Sequence, residues 1–91
     1  MSDAISAELT IQNRKGLHAR AAAAFVKAIE NIDAEVAVER IGQEVDGHSI
    51  MGLMMLAAAK GTTINVTCSG KEAKKALETL TTLVNNKFGE E

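Results

Sequence analysis

The spacing of apolar residues along this chain alternates between that of β-strands and that of α-helices. From Ile5 to Gln12 apolar and polar residues alternate, which predicts a strand with one buried face. The apolar residues that follow, up to about Asn31, recur at helical spacing and predict a helix with one apolar stripe. This stripe contains Ala22, Phe25, Val26 and Ile29. Because a change of period marks a change of element, this pattern constrains the fold more than any single motif does.

The same reasoning predicts five further elements in the rest of the chain. They are a strand over 34–40, a short strand near Glu44 to Asp46 after a turn at Ile41-Gly42-Gln43, a helix over Ser49 to Ala59, a strand with Ile64, Val66 and Cys68 on its inner face, and a helix from about Lys71 to Asn86. A cation followed by glycine commonly ends a helix, so we expect Lys60 and Gly61 to close the second helix. The order β-α-β-β-α-β-α predicts an α+β fold in two layers, with helices on one side of an antiparallel sheet.

Composition excludes several classes of protein. The chain has 91 residues, a formal net charge of -2 and a sequence pI near 5.7, which argue against a nucleic-acid binder. A single cysteine, Cys68, excludes an intramolecular disulfide and suits a reducing cytoplasm. The first residues lack the features of a signal peptide, and the segment IMGLMMLAAA is too short to span a bilayer. With no proline and no linker-like segment, we expect one soluble cytoplasmic domain over residues 1–91.

The segment KGLHAR, residues 15 to 20, joins a loop to the alanine-rich first helix. His18 lies at or just before the helix start, where unpaired N–H groups and the helix dipole bind anions. The positive helix end disfavours the charged imidazole, and it would stabilise a phosphoryl group on the ring together with Arg20. A histidine near a helix start is more often an exposed residue without chemistry, and a lone arginine is usually a solvated surface cation, so the short motif alone does not establish a phosphoryl site.

The second helix is apolar on all sides, which a helix packed on one face of a sheet does not require. Ile50, Met51 and Met54 cannot all be buried in so small a domain. One interpretation is a thick core helix, and the other is a methionine-rich docking surface for partner proteins. Ser49 directly precedes the apolar run, so we expect its hydroxyl to cap the helix.

No metal site is expected, because His18, His48 and Cys68 lie in different segments and neither CxxC nor HxxxH occurs. We expect Cys68 to lie in the core with Ile64 and Val66. His48 precedes the second helix and is expected to be an exposed turn residue, with an approach to the first helix start as the alternative.

Two longer motifs in register resemble one family over essentially the whole chain. NRKGLHARAAAAFVK and GHSIMGLMMLAAAKGTTI are similar to segments of the histidine-containing phosphocarrier (HPr) family of the bacterial phosphoenolpyruvate-dependent phosphotransferase system. The resemblance implies an open-faced β-sandwich, with four antiparallel strands in the order first, fourth, second, third under three helices. It also implies a phosphoryl carrier rather than an enzyme, with no cofactor.

The resemblance further implies roles for individual residues. His18 would accept a phosphoryl group from enzyme I through Nδ1 and pass it to an EIIA-type domain, and Arg20 would stabilise the phosphate. Ser49 matches the regulatory serine that a dedicated HPr kinase/phosphorylase modifies in many members. A docking surface is implied at Ala23, Ile50, Met51 and Met54. A regulatory relative that acts only through the serine is the competing possibility, but such relatives lose the histidine.

One position departs from the family pattern. Most members have proline directly after the arginine, whereas this chain has Ala21. Proline presets the backbone for a helix start, so alanine predicts a slightly looser terminus with intact chemistry. The HARAA form and the FGEE ending resemble alphaproteobacterial carriers, many of which serve the nitrogen-type branch of the system. We expect a monomer.

Overall fold

The computed structural model describes residues 4–90 and contains the α+β architecture expected from the alternating periods. In chain order the elements are β1 (Ile5–Thr10), α1 (Ala19–Ile29), β2 (Glu35–Arg40), β3 (Gln43–Asp46), α2 (Ile50–Met55), β4 (Thr63–Ser69) and α3 (Ala73–Asn85). The strands form one antiparallel sheet in the order β1-β4-β2-β3. This is the order that the family resemblance implied.

The core lies between one face of the sheet and the helices. Alternation is clearest in β4, where Ile64, Val66 and Cys68 are buried and the residues between them are half-buried. The helices cover this face with the fully buried side chains of Phe25, Leu53 and Leu80. In β1 the alternation is weaker than expected, since Leu9 is buried but Ile5 is exposed.

Helix α2 is shorter than the sequence predicts. It ends at Met55 with Leu56 as its C-cap, and Ala57 has a positive φ of 52° that interrupts the helical path. The expected cap at Lys60 and Gly61 is therefore wrong, because these residues lie in the turn before β4. The chain leaves the helix early since the next residue, Ala58, is buried in the core.

Ala58 connects this segment to the loop that precedes α1. Its carbonyl oxygen accepts a hydrogen bond from the N–H of Leu17 at 2.9 Å. Gly16 lies so close that a Cβ at this position would be 2.5 Å from the same oxygen, and its φ is +69°. Only glycine fits both the contact and the backbone conformation. The loop before His18 is thus fixed against the residues that follow α2.

A short C-terminal turn, Lys87–Gly89, follows α3. Its three residues have φ angles of 57°, 56° and 77°, which is left-handed backbone. Each non-glycine residue in this region costs about 1–2 kcal/mol. Phe88 is buried in the core, and this burial offsets part of the cost. The turn directs the next residue, Glu90, toward the start of α1.

Candidate functional site

His18 is the N-cap residue of α1. Its backbone is extended, with φ -83° and ψ -176°, and its Nδ1 atom accepts a hydrogen bond from the N–H of Arg20 at 3.3 Å. The imidazole thus takes the place that a serine or aspartate side chain usually occupies at a helix start. Since an N–H group can only donate, Nδ1 presents its lone pair and carries no hydrogen in this arrangement. The placement at the helix start agrees with the sequence prediction.

The other ring nitrogen of His18 contacts a residue that the sequence analysis did not consider. Nε2 lies 2.7 Å from Oε2 of Glu90. The second oxygen of this carboxylate, Oε1, accepts a hydrogen bond from Nδ2 of Asn13 at 3.1 Å. Asn13 is fully buried and also donates to the carbonyl oxygen of Gly16 at 2.7 Å. The ring is therefore held from both sides, by the helix start and by the C-terminal segment.

The surroundings of Glu90 favour its ionised form. The hydrogen bond with His18 is the largest cause that lowers the pKa of the carboxyl group below its ordinary value. Desolvation acts in the opposite direction, while the Asn13 hydrogen bond and the charges of His18 and Arg20 lower the pKa further. Near neutral pH the carboxylate is an acceptor only, so Nε2 is the donor in the contact.

A shallow cavity of about 210 Å³ lies beside this pair. Arg14, Lys15, Arg20 and Glu90 line it. The three cations come from the loop before α1 and from its first turn, and all are exposed. Cationic donors next to a helix N-terminus form a suitable environment for a phosphoryl group or another anion. The sequence analysis named Arg20 here. Arg14 and Lys15 were not named, and they line the cavity because the loop before α1 lies beside it.

Ser49 is the N-cap residue of α2, as the sequence predicts. Its backbone is extended and its Oγ atom accepts a hydrogen bond from the N–H of Gly52 at 2.9 Å. The side chain is half-buried. The hydroxyl group is thus engaged in stabilising the helix start, and the residue as a whole is partly exposed.

The apolar residues of α2 divide into a buried and an exposed set, so the interpretation of a thick core helix holds for only part of it. Leu53 and Leu56 are buried. The exposed fractions are 39% for Ile50, 74% for Met51, 42% for Met54 and 65% for Met55. We call these four residues the apolar surface of α2. Ala23 is exposed on α1, which packs against α2. Met55 is a member that the sequence analysis did not name.

The remaining candidates lie away from His18. His48 is an exposed turn residue next to Asp46, as expected, and it lines a separate cavity of about 490 Å³ with residues of β2 and β3. Cys68 is fully buried, and its burial raises the pKa of the thiol. Within residues 4–90, no group of three or more His, Cys, Asp or Glu side chains is placed to hold a metal ion. No helix in that range is long and apolar enough to cross a membrane.

The fold and this site together define an open-faced β-sandwich whose first helix begins at a histidine. The family model described as "PTS HPr component phosphorylation site" matches residues 5–86. The chain therefore belongs to the HPr family, the phosphocarrier proteins of the phosphotransferase system.

Individual relatives agree with this assignment. The phosphocarrier protein HPr of Pseudomonas aeruginosa is 48% identical over 84 residues, which cover 91% of this chain and 93% of that protein. The phosphocarrier protein NPr of Shewanella violacea is 36% identical over 83 residues, with 91% of each chain covered. Among solved structures, HPr-C-His from Thermoanaerobacter tengcongensis superposes with a TM-score of 0.91 at 34% identity, covering 96% of this chain and 98% of that one. The HPr of Bacillus anthracis gives a TM-score of 0.86 at 35% identity, with 90% and 98% covered.

Proposed function

We propose that this chain accepts a phosphoryl group from enzyme I on Nδ1 of His18 and passes it to EIIA-type domains. The observation that carries the proposal is the hydrogen bond from the N–H of Arg20 to Nδ1. It makes Nδ1 the ring nitrogen that carries a lone pair, and that pair faces an anion-binding helix start. A nucleophile and the groups that stabilise the transferred anion thus lie on the same side of the ring.

The transfer itself needs no proton movement at the reacting atom. The Nδ1 electron pair attacks phosphorus, the Nδ1–P bond forms, and the donor's bond to phosphorus breaks with its electron pair returning to the donor. For this attack the N–H of Arg20 has to leave Nδ1, and it turns to a phosphoryl oxygen as the Nδ1–P bond forms. The guanidinium of Arg20 and the cations of Arg14 and Lys15 stabilise the charge on the oxygens. Onward transfer to an EIIA-type domain is the reverse of this step with a new acceptor.

The apolar surface of α2, with Ala23 of α1, is proposed as the docking surface for both partners. Exposed methionines are flexible and polarisable, and such side chains suit a surface that binds more than one protein. Burying one of them against a partner contributes about 1.5–3 kcal/mol. The surface belongs to the helix that follows Ser49, and the segment after this helix contacts the His18 loop through Ala58. Docking there would bring a partner's reactive group near the imidazole.

Ser49 is proposed as a site of regulatory phosphorylation by an HPr kinase/phosphorylase. Its oxygen lies at a helix start, where a phosphate is tolerated electrostatically. The added charge, about -1.5 to -2 at neutral pH, would stand directly before Ile50 and Met51. A partner would have to desolvate this charge on docking, so phosphorylation would weaken the encounter and leave the fold intact.

We further propose a cytoplasmic monomer in which residues 1–91 form one domain. A relay that begins with phosphoenolpyruvate requires the carrier to meet its donor in the cytoplasm. Similarity to proteins named HPr and to one named NPr supports service in either the sugar or the nitrogen branch.

Relay activity with purified partners tests the proposed function. The chain is incubated with phosphoenolpyruvate and enzyme I of the sugar type or of the nitrogen type, and its intact mass is followed. The expected result is a gain of one phosphoryl mass that is labile to acid and stable to base, and that disappears when an EIIA-type domain is added. Failure to gain mass with both types of enzyme I would contradict the proposal.

A further inference from the structure

Two hydrogen bonds in series connect the buried Asn13, through the carboxylate of Glu90, to the ring of His18. Asn13, which is fully buried, donates to Oε1 of Glu90 at 3.1 Å. The opposite oxygen of Glu90 lies 2.7 Å from Nε2 of His18, and the side chain of Glu90 is only 15% exposed. The side-chain carboxylate of Glu90, which has a partner on each oxygen, is thus held against the imidazole of the proposed acceptor.

We propose that Glu90, held by Asn13, is a positioning residue that keeps the ring hydrogen of His18 on Nε2 and so leaves Nδ1 free to take the phosphoryl group. This inference rests on the proposed role of His18 as the acceptor.

The two contacts of the ring specify one tautomer. A neutral imidazole carries its hydrogen on one nitrogen and accepts through the other. The N–H of Arg20 faces Nδ1 and the carboxylate of Glu90 faces Nε2. Both partners are satisfied only when Nε2 carries the hydrogen, and a ring rotated by half a turn would satisfy neither. The carboxylate therefore selects both the tautomer and the orientation, as it does for histidines in metal sites and catalytic triads.

The same contact stabilises the ring while it reacts. When the Nδ1–P bond forms and the donor's bond to phosphorus breaks, positive charge develops on the imidazole. The hydrogen on Nε2 becomes more acidic and its bond to the carboxylate strengthens, while the hydrogen itself stays on the ring. Glu90 thus acts at the nitrogen opposite the reacting atom, and it does not occupy the position of the phosphoryl group.

The backbone that carries Glu90 indicates that its position is specified. Lys87 and Phe88 both have positive φ, a conformation that non-glycine residues rarely adopt. The buried ring of Phe88 anchors this turn to the core. Backbone in sparsely populated regions persists where the surrounding structure enforces it, and it is concentrated at functional sites. Here its effect is to bring the carboxylate of Glu90 to His18.

The cations around the cavity make the carboxylate compatible with phosphoryl transfer. Glu90 and a phosphoryl group on Nδ1 are both anionic and would repel each other across the ring. Arg14, Lys15 and Arg20 line the same cavity as Glu90 and lie where they reduce this repulsion. The positive charges of the loop before α1 and of the first turn of α1 therefore lie near both anions, Glu90 and the phosphoryl group.

Substitutions at Glu90 test the proposal with one kinetic and one spectroscopic measurement. The experiment compares the parent with Glu90→Ala and Glu90→Gln. The control is Glu78→Gln, which changes an exposed carboxylate on α3. The rate of phosphorylation by enzyme I is measured, and the ¹⁵N shifts of the His18 ring report its tautomer. We expect Glu90→Ala to react about 10- to 100-fold more slowly, by analogy with the loss of outer-shell partners that orient histidines in metal sites. We also expect its ring to populate both tautomers.

Glu90→Gln distinguishes positioning from a structural role. Its amide oxygen can still accept from Nε2, so this variant should keep the parental tautomer and recover part of the rate, and Glu78→Gln should match the parent in both measurements. A Glu90→Ala protein that reacts at the parental rate, keeps an unchanged tautomer, or unfolds would overturn the inference. A parent that is not phosphorylated, or is phosphorylated elsewhere than on His18, would instead overturn the proposed function.

Discussion

The Nε2 atom of His18 lies 2.7 Å from Oε2 of Glu90, although 72 positions separate the two residues in the chain. They meet because the C-terminal turn after α3 packs against α1 and reverses the chain toward the start of that helix. The contact uses the ring nitrogen that faces away from the helix N-terminus. The proposed acceptor atom, Nδ1, is thereby left to the N–H of Arg20 and to an incoming phosphoryl group.

Acid should release Glu90 from the site. The folded protein lowers the pKa of this carboxyl below its ordinary value of 4.5, so the contact stabilises the folded state above pH 4.5 and this contribution is lost as the pH falls through the lowered value. The difference in free energy of unfolding between the parent and Glu90→Gln should be present at neutral pH and absent in strong acid. Denaturant titrations at several pH values measure it. A difference that persists unchanged in strong acid, where the carboxyl is protonated, would contradict the assignment of the charged partner.

Arg20→Ala should slow phosphoryl transfer and leave stability nearly unchanged. The side chain is exposed, and exposed charges contribute at most about 1 kcal/mol. Removal of a cation from the cavity beside His18 should weaken the stabilisation of the transferred group. Rates with enzyme I and thermal melting are compared with those of Lys27→Ala, which removes an exposed cation from the last turn of α1. A large fall in melting temperature with a normal rate would identify Arg20 as a structural residue.

Met51→Glu and Met54→Glu should weaken the encounter with enzyme I while the fold is kept. Both side chains are exposed, so the free chain tolerates a charge there, but a docked partner would bury it. The expected result is a higher KM for the carrier in the enzyme I reaction with an unchanged far-UV spectrum. Thr82→Glu adds the same charge to an exposed position of α3 and serves as the control. Unfolding of both methionine variants would show that these residues belong to the core.

Ser49→Asp should imitate the proposed phosphorylation. Aspartate can still cap α2, so spectrum and stability should stay close to those of the parent. The added charge should slow phosphoryl transfer from enzyme I, and higher salt should restore part of the rate because it screens exposed charges. The control is Ser49→Asn, because asparagine has nearly the same shape as aspartate but no charge. This variant should transfer near the parental rate. An aspartate variant that is as fast as the asparagine variant would remove the electrostatic mechanism.

Local patterns were sufficient for most of the elements and for the position of His18 at the start of α1. The predicted alternation of buried and less buried residues in β2 and β4, and the predicted apolar stripe of α1, are present in the structure. Each of these elements buries one face. Ser49 was recognisable as a cap since a serine before an apolar run satisfies a local hydrogen bond. The sheet order came from the family resemblance, because periodicity does not determine which strands are neighbours.

Features that depend on distant contacts were missed. The early end of α2 follows from the left-handed Ala57 and from the contact of Ala58 with Leu17, a residue more than 40 positions earlier. Glu90 reaches His18 through left-handed residues at Lys87 and Phe88, where no local preference favours that backbone. The glycine at position 89 and the acidic ending after it were the only signals, and they do not specify a partner.

Identification of the phosphorylated residue tests the account most directly. The parent, His18→Ala and His48→Ala are incubated with phosphoenolpyruvate and enzyme I, and the incorporated phosphoryl group is quantified by intact mass before and after treatment with acid. We expect the parent and His48→Ala each to gain one acid-labile phosphoryl group and His18→Ala to gain none. Acid-labile labelling of a folded His18→Ala protein would contradict this expectation.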